Sequence, residues 1–195
     1  MGKVKIIIGK KMLCGVLGIP GVGKTTVLNA AAENVELKRL NFGNYMFAEA
    51  QKMSLVKDRD DMRKLPREQQ ADLQQKAAEQ IYKDSRDGNA IVDTHGSIKT
   101  PQGYMPGLPE NVLRALNPDA IVLVECDPRD ICARRNRDVS RNRDPDTVEQ
   151  VDEHQMMNRC FAAVYADLTN STVLIVKNEE GKVDEAGKKI AKVFE

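Results

Sequence analysis

Apolar residues along this chain fall into short runs separated by longer stretches of mixed pattern. Met12–Leu17, interrupted only by Gly15, predicts a buried strand. Leu37–Phe42, Ala90–Val92, Ala120–Cys126 and Val173–Val176 predict four more. Between them the spacing of apolar positions turns helical over Thr25–Asn34, Tyr45–Met53, Pro66–Arg86, Glu110–Leu116, Pro128–Arg137, Thr147–Leu168 and Asp184–Phe194. Pro66 stands at a first helical position and Gly88 closes the end of that helix. Gly96–Pro109 holds three Gly and three Pro and reads as a shaped loop. Strands alternating with helices predict an α/β fold, a parallel sheet of about five strands flanked by helices. Such sheets bind ligands beyond the carboxyl ends of their strands.

The segment after the first strand supplies the candidate chemistry. Gly18-Ile19-Pro20-Gly21-Val22-Gly23-Lys24-Thr25 matches G-x-x-x-x-G-K-[ST] in full, the P-loop pattern of nucleoside triphosphate binding. Its glycines let backbone N–H groups turn inward around phosphate oxygens, and the following helix aims its N-terminus at the same anion. Lys24 supplies a mobile charge and Thr25 a hydroxyl for Mg²⁺. Asp93 ends the third strand, where a carboxylate would lie beside the phosphate loop and hold Mg²⁺. His95 follows two residues later without an assigned role.

Charge enters locally. The net charge is +1, with 30 basic and 29 acidic residues, which gives no reason to expect nucleic-acid or membrane binding. Five of the ten residues from Arg134 to Arg143 are nevertheless Arg: 134, 135, 137, 141 and 143. Arg offers planar, permanently charged donors for phosphate closure, and no aromatic residue accompanies this run to suggest base stacking. A second cluster, Asp58-Arg59-Asp60-Asp61-Met62-Arg63-Lys64, reads by itself as a salt-bridged surface helix. Four scattered cysteines and two histidines, without a CxxC pair, fit neither a zinc site nor a disulfide framework. They suit a reducing, cytoplasmic setting. No run approaches the roughly 18 apolar residues needed to span a bilayer, and Ile6–Ile8 is too short for a signal-peptide core. Residues 1–11 are expected to be an extension outside the core strand, with Met12 as an alternative start.

Asp93-Thr94-His95-Gly96 also fits the D-x-x-G pattern of a GTPase-like switch. That alternative needs an N/T-K-x-D element, and Val176-Lys177-Asn178-Glu179 does not supply it. The combined motifs instead resemble the archaeal-type adenylate kinases over nearly the whole chain after Met12. The marks are G-I-P-G-V-G-K-T-T through Thr26, N-F-G at Asn41–Gly43 and K-D-R-D-D-M-R-K-L at Lys57–Leu65. D-T-H at Asp93–His95, K-T-P-Q-G-Y-M-P-G-L-P at Lys99–Pro109, R-N-R-D at Arg141–Asp144 and V-K-N at Val176–Asn178 complete them.

The resemblance implies ATP + AMP ⇌ 2 ADP with Mg²⁺, acting on ATP, AMP and ADP. It implies one nucleoside monophosphate kinase domain over residues 12–195, a helical AMP-binding insert at 42–84, a short lid at 137–144 and a homotrimer. The phosphate loop Gly18–Thr26 and Arg134 would bind ATP, with Arg134 over the adenine. Arg59 and Arg63 would hold the AMP phosphate, and Lys99 would sit between donor and acceptor phosphates. Lys24, Asp93, Arg141 and Arg143 would be catalytic, with Arg159 facing the transferring group, and Thr25 and Asp93 would hold the metal. A UMP or CMP kinase is the neighbouring alternative. Bacterial and eukaryotic relatives carry an Arg soon after the second strand, but Phe42–Phe47 has none. The acceptor's cation is therefore expected from Arg59 and Arg63.

Overall fold

The computed structural model describes residues 11–137 and 146–195. The chain runs β1 (Leu13–Leu17), α1 (Lys24–Ala32), β2 (Lys38–Asn41), α2 (Phe42–Lys52), a 3₁₀ turn (Arg59–Lys64) and α3 (Arg67–Asp84). It continues through β3 (Ala90–Asp93), β4 (Ser97–Thr100), β5 (Gly103–Pro106), α4 (Glu110–Leu116) and β6 (Ala120–Glu125). It ends with α5 (Pro128–Arg137), α6 (Val148–Thr169), β7 (Thr172–Lys177), α7 (Val183–Ala191) and a 3₁₀ turn (Lys192–Phe194). The expected strands and helices are all present.

Five strands form one parallel sheet in the order β2-β3-β1-β6-β7. Strands β1, β3 and β6 are buried along their length, which is why their sequences read as continuous apolar runs rather than alternations. Alternate side chains enter opposite layers. Leu17, Ile121 and Leu123 pack with Ala77, Leu113 and Tyr165 on one face, under α3, α4 and α6. Val16, Val122 and Val124 pack with Leu28, Ile131 and Ile190 on the other, under α1, α5 and α7. The chain steps from β1 to the sheet edge at β2, returns at β3, and later continues on the other side of β1 at β6. The strand order thus reverses beside β1, and the crevice of such a sheet opens there.

Two local features differ from the sequence expectation. Gly96–Pro109 contains an antiparallel hairpin, β4 paired with β5, where a loop was expected. Its strands are four residues long, and Ile98 and Met105 sit opposite each other in the open, so no buried face imprints an alternation on the sequence. Thr100 closes the turn, donating its hydroxyl to the Gly103 carbonyl at 2.8 Å, with Gly103 at φ +120°. Helix α2 starts at Phe42, earlier than the apolar periodicity indicates, because Asn41 caps it by accepting from the Asn44 N–H at 3.0 Å.

Candidate active site

The phosphate loop leaves β1 at the centre of the sheet and enters α1 at Lys24. Gly21 and Gly23 hold φ of 86° and 87°, a backbone conformation that side chains resist. Space is equally binding. A Cβ on Gly18 would stand 2.9 Å from the Val124 carbonyl oxygen, and one on Gly23 2.4 Å from the Asn178 amide nitrogen. Asn178 fixes the loop by donating to the Val22 carbonyl at 2.8 Å. Arg134 donates to the same carbonyl at 3.3 Å, so this expected ATP residue does lie against the loop. Arg135 donates from Nε to the Pro20 carbonyl at 2.8 Å and braces the loop from outside.

Asp93 pairs in register with Val16 of β1, which brings its carboxylate under the start of α1. Lys24 Nζ stands 3.2 Å from Asp93 Oδ1 and also donates to the Thr94 carbonyl. Burial pulls the Lys24 pKa below the ordinary ammonium value, against the attraction of Asp93. For Asp93, burial pushes the pKa up, but the charges of Lys24 and Arg39 win and hold it below the usual carboxylate value. The carboxylate beside the loop's lysine is therefore ionised at neutral pH.

Arg39 escaped the sequence analysis. From β2 its guanidinium reaches Asp93 Oδ2 at 2.9 Å, Thr25 Oγ1 at 3.3 Å and Asn29 Oδ1 at 3.1 Å. No motif covers it, and a Lys-Arg pair on a short edge strand carries no signal of function. His95 lies against the loop, its Nδ1 3.4 Å from the Gly18 carbonyl oxygen. The residue is exposed at the surface, while the surrounding protein and then the Lys24 charge lower its pKa to about 4.

The other arginines separate. Arg59 folds back over the N-terminus of α2, donating to Asn44 Oδ1 at 2.7 Å and Asn41 Oδ1 at 3.4 Å. Gly43 makes room for it: a Cβ there would stand 2.2 Å from the guanidinium. Arg63 is exposed at the end of the 3₁₀ turn, and its backbone carbonyl, rather than its guanidinium, is what Gln70 engages. Lys99 on the hairpin donates to Asp146 Oδ1 at 2.8 Å, and Arg135 to Asp146 Oδ2 at 2.6 Å. Hairpin, α5 and phosphate loop are thus linked through one carboxylate that the sequence did not single out. Arg159 makes a bidentate pair with Glu125, 2.6 Å on each oxygen, and lines a cleft of about 460 Å³ with Ile175, Lys177 and Glu179. Its partner Glu125 is the last residue of β6. Arg141, Arg143 and the lid beyond Arg137 lie outside the described residues.

A family model described as an AAA domain matches residues 17–152. Among curated proteins, the adenylate kinase of Thermoplasma acidophilum is 51% identical over 179 residues, covering 92% of this chain and 96% of that protein. The adenylate kinase of Methanocaldococcus jannaschii is 45% identical over 190 residues, covering 95% and 99%. Among solved structures, a tunicamycin resistance protein of Deinococcus radiodurans aligns with a TM-score of 0.59 at 13% identity, covering 94% of this chain and 95% of that one. A shikimate kinase from Acinetobacter baumannii in complex with shikimate gives 0.55 at 16%, covering 94% and 93%. At such identities these two speak for the fold alone.

Proposed function

The chain belongs to the adenylate kinases, and we propose that its reaction, ATP + AMP ⇌ 2 ADP, proceeds by direct in-line transfer between two phosphate sites on one edge of the sheet. The observation that carries this is a pair of helix N-termini, each with its own cation. Helix α1 follows β1 and starts at Lys24; α2 follows β2 and has Arg59 folded over it. Strands β1 and β2 run parallel on either side of β3, so both N-termini open at the same carboxyl edge. A helix N-terminus with a cation is an anion site, and two of them suit a donor and an acceptor phosphate.

No side chain needs to act as nucleophile, because the acceptor phosphate oxygen is already ionised. That oxygen forms the new bond to the γ-phosphorus while the bond to the leaving ADP oxygen breaks. The protein's work is positioning and charge screening. Residues Gly18–Thr26 cradle the donor phosphates, Lys24 neutralises them, and Arg134 covers the adenine side. Arg59 and Arg63 hold the AMP phosphate. Lys99 exchanges Asp146 for phosphate, and Arg141 and Arg143 close over the transferring group.

The Thr25 hydroxyl and the Asp93 carboxylate are hard oxygen donors of the kind Mg²⁺ takes. One guanidinium touches both, so they converge on a single cation-sized position, which favours a metal site there. Bound Mg²⁺ would offset the charge of the donor phosphates.

The core over residues 12–195, the insert at 42–84, the lid at 137–144 and a homotrimer complete the proposal. Self-association is supported by exposed apolar side chains on two packed elements at the sheet edge, Met156 and Val164 on α6, Val173 and Ile175 on β7. All four cysteines are free thiols, which suits a cytoplasmic setting. Mixing the protein with Mg·ATP and AMP, UMP or CMP in turn, and following ADP, tests the assignment. AMP should be the preferred acceptor by a wide margin. Equal or better turnover with UMP or CMP overturns the acceptor assignment, and sedimentation as a monomer overturns the trimer.

A further inference from the structure

Arg39 stands where a metal ligand set would have its ion, and nothing in the two-site scheme uses it. The edge strand sets this up. Arg39 and Asn41 point to one side of β2 and Leu40 to the other, where it joins the core under α3. Thr25 and Asn29 are four apart on α1 and therefore share one helix flank. Arg39 lies along that flank, held by Asn29 at 3.1 Å, with its guanidinium between the Thr25 hydroxyl and the Asp93 carboxylate. Asp93 then carries two cations, Lys24 on one oxygen and Arg39 on the other, and is only 7% exposed. A metal ion at this place would claim the two oxygens that the guanidinium already holds. Like charges confined to one part-buried site repel.

Resting on the nucleotide and metal sites proposed above, we infer that Arg39 is a resident cation that competes with Mg²⁺ for Thr25 and Asp93. In the metal-free protein it neutralises Asp93 and screens incoming donor phosphates. When metal enters with the nucleotide, the guanidinium gives up its bonds to Asp93 and Thr25. Arg39 and Mg²⁺ are then antagonists, and the benefit of Mg²⁺ to ATP binding is smaller than it would be without Arg39. The antagonism has one sign from either side. Removing Arg39 weakens metal-free ATP binding, tightens Mg·ATP binding, or does both.

Calorimetric titration of the full chain with ATP, once in EDTA and once in excess Mg²⁺, reads this directly. The quantity is the ratio of the metal-free to the metal-bound Kd, compared between wild type and Arg39→Gln. A ratio at least tenfold larger in the variant is expected. Equal ratios overturn the inference. So does a raised Kd for AMP with an unchanged ATP ratio, which would put Arg39 in the acceptor site. Should the Gln variant not fold, Arg39→Met carries the test, because it keeps the apolar stem along α1 and removes the cation. A several-fold larger ratio supports the inference and an unchanged one overturns it. Failure of the nucleotide assignment itself would look different: wild-type protein would bind ATP in neither condition.

Discussion

Tyr165 closes the loop that carries Lys99, and its removal has a calculable cost. The side chain is 2% exposed on α6. Its hydroxyl donates to the Gly96 carbonyl at 2.7 Å and accepts from the Leu108 N–H at 3.1 Å, so one oxygen ties both feet of the segment holding β4 and β5. Burial pushes its pKa up to about 12, which keeps the phenol protonated as the donor bond requires. Tyr165→Phe keeps the ring and deletes only this oxygen. The Gly96 carbonyl still accepts from the Gly107 N–H at 3.0 Å, whereas the Leu108 N–H loses its phenolic partner in a buried place. A stranded buried donor costs about 1–3 kcal/mol, so a loss of about 2 kcal/mol is expected. For a domain of this length that is a fall in Tm of roughly 4–8 °C. Urea unfolding gives the free energy, and the slope of the transition should be unchanged because the buried surface is the same. Steady-state kinetics should show kcat falling several-fold as the hairpin loses its anchor. A variant within 0.5 kcal/mol of wild type would show that the hydroxyl does not hold the loop, and the argument for Lys99's placement would fail with it.

Gly187→Ala should cost at least about 2 kcal/mol by thermal or urea unfolding, because the new methyl would stand 2.6 Å from Ala30 Cβ and 2.7 Å from its backbone, where α7 crosses α1. Wild-type stability would mean the two helices can part freely. Asp93→Asn should lower turnover by roughly 100-fold or more while the fold survives, and full activity at saturating Mg²⁺ would remove Asp93 from the metal site. Arg59→Ala should raise the KM for AMP more than Arg63→Ala, since only Arg59 reaches the α2 N-terminus; the reverse order would move the acceptor site to the 3₁₀ turn. His154 is buried and burial lowers its pKa, so in the window below about pH 6.5 the unfolded chain binds a proton that the native chain resists. Stability should be intact above about pH 6.5 and fall as the pH drops through that window, and a His154 proton signal titrating near 6.5 in the folded protein would contradict it.

The elements whose reason is local or one-dimensional were legible in the sequence. The phosphate loop is local: positive φ at Gly21 and Gly23, and the close approach at Gly18, demand glycine within a few residues, and Lys24 and Thr25 follow by spacing alone. Strands buried on both faces are one-dimensional too, because burial along the whole strand forces an unbroken apolar run, as in Ala120–Val124. Asp93 could be found because it is the first charge after such a run. The hairpin left no trace, since neither of its faces supplies a core. Ionic partners left none either. A charged residue looks the same in sequence whether it pairs with solvent or with a carboxylate far along the chain. Arg39 meets Asp93 only because β2 folds beside β3. Arg59 reaches α2 only because Gly43 leaves the helix N-terminus bare. Arg159 is committed to Glu125 because α6 lies over the end of β6. The sequence determined where phosphate can bind. Which cations serve it was decided by packing, because the charge of a side chain is local and its partner is not.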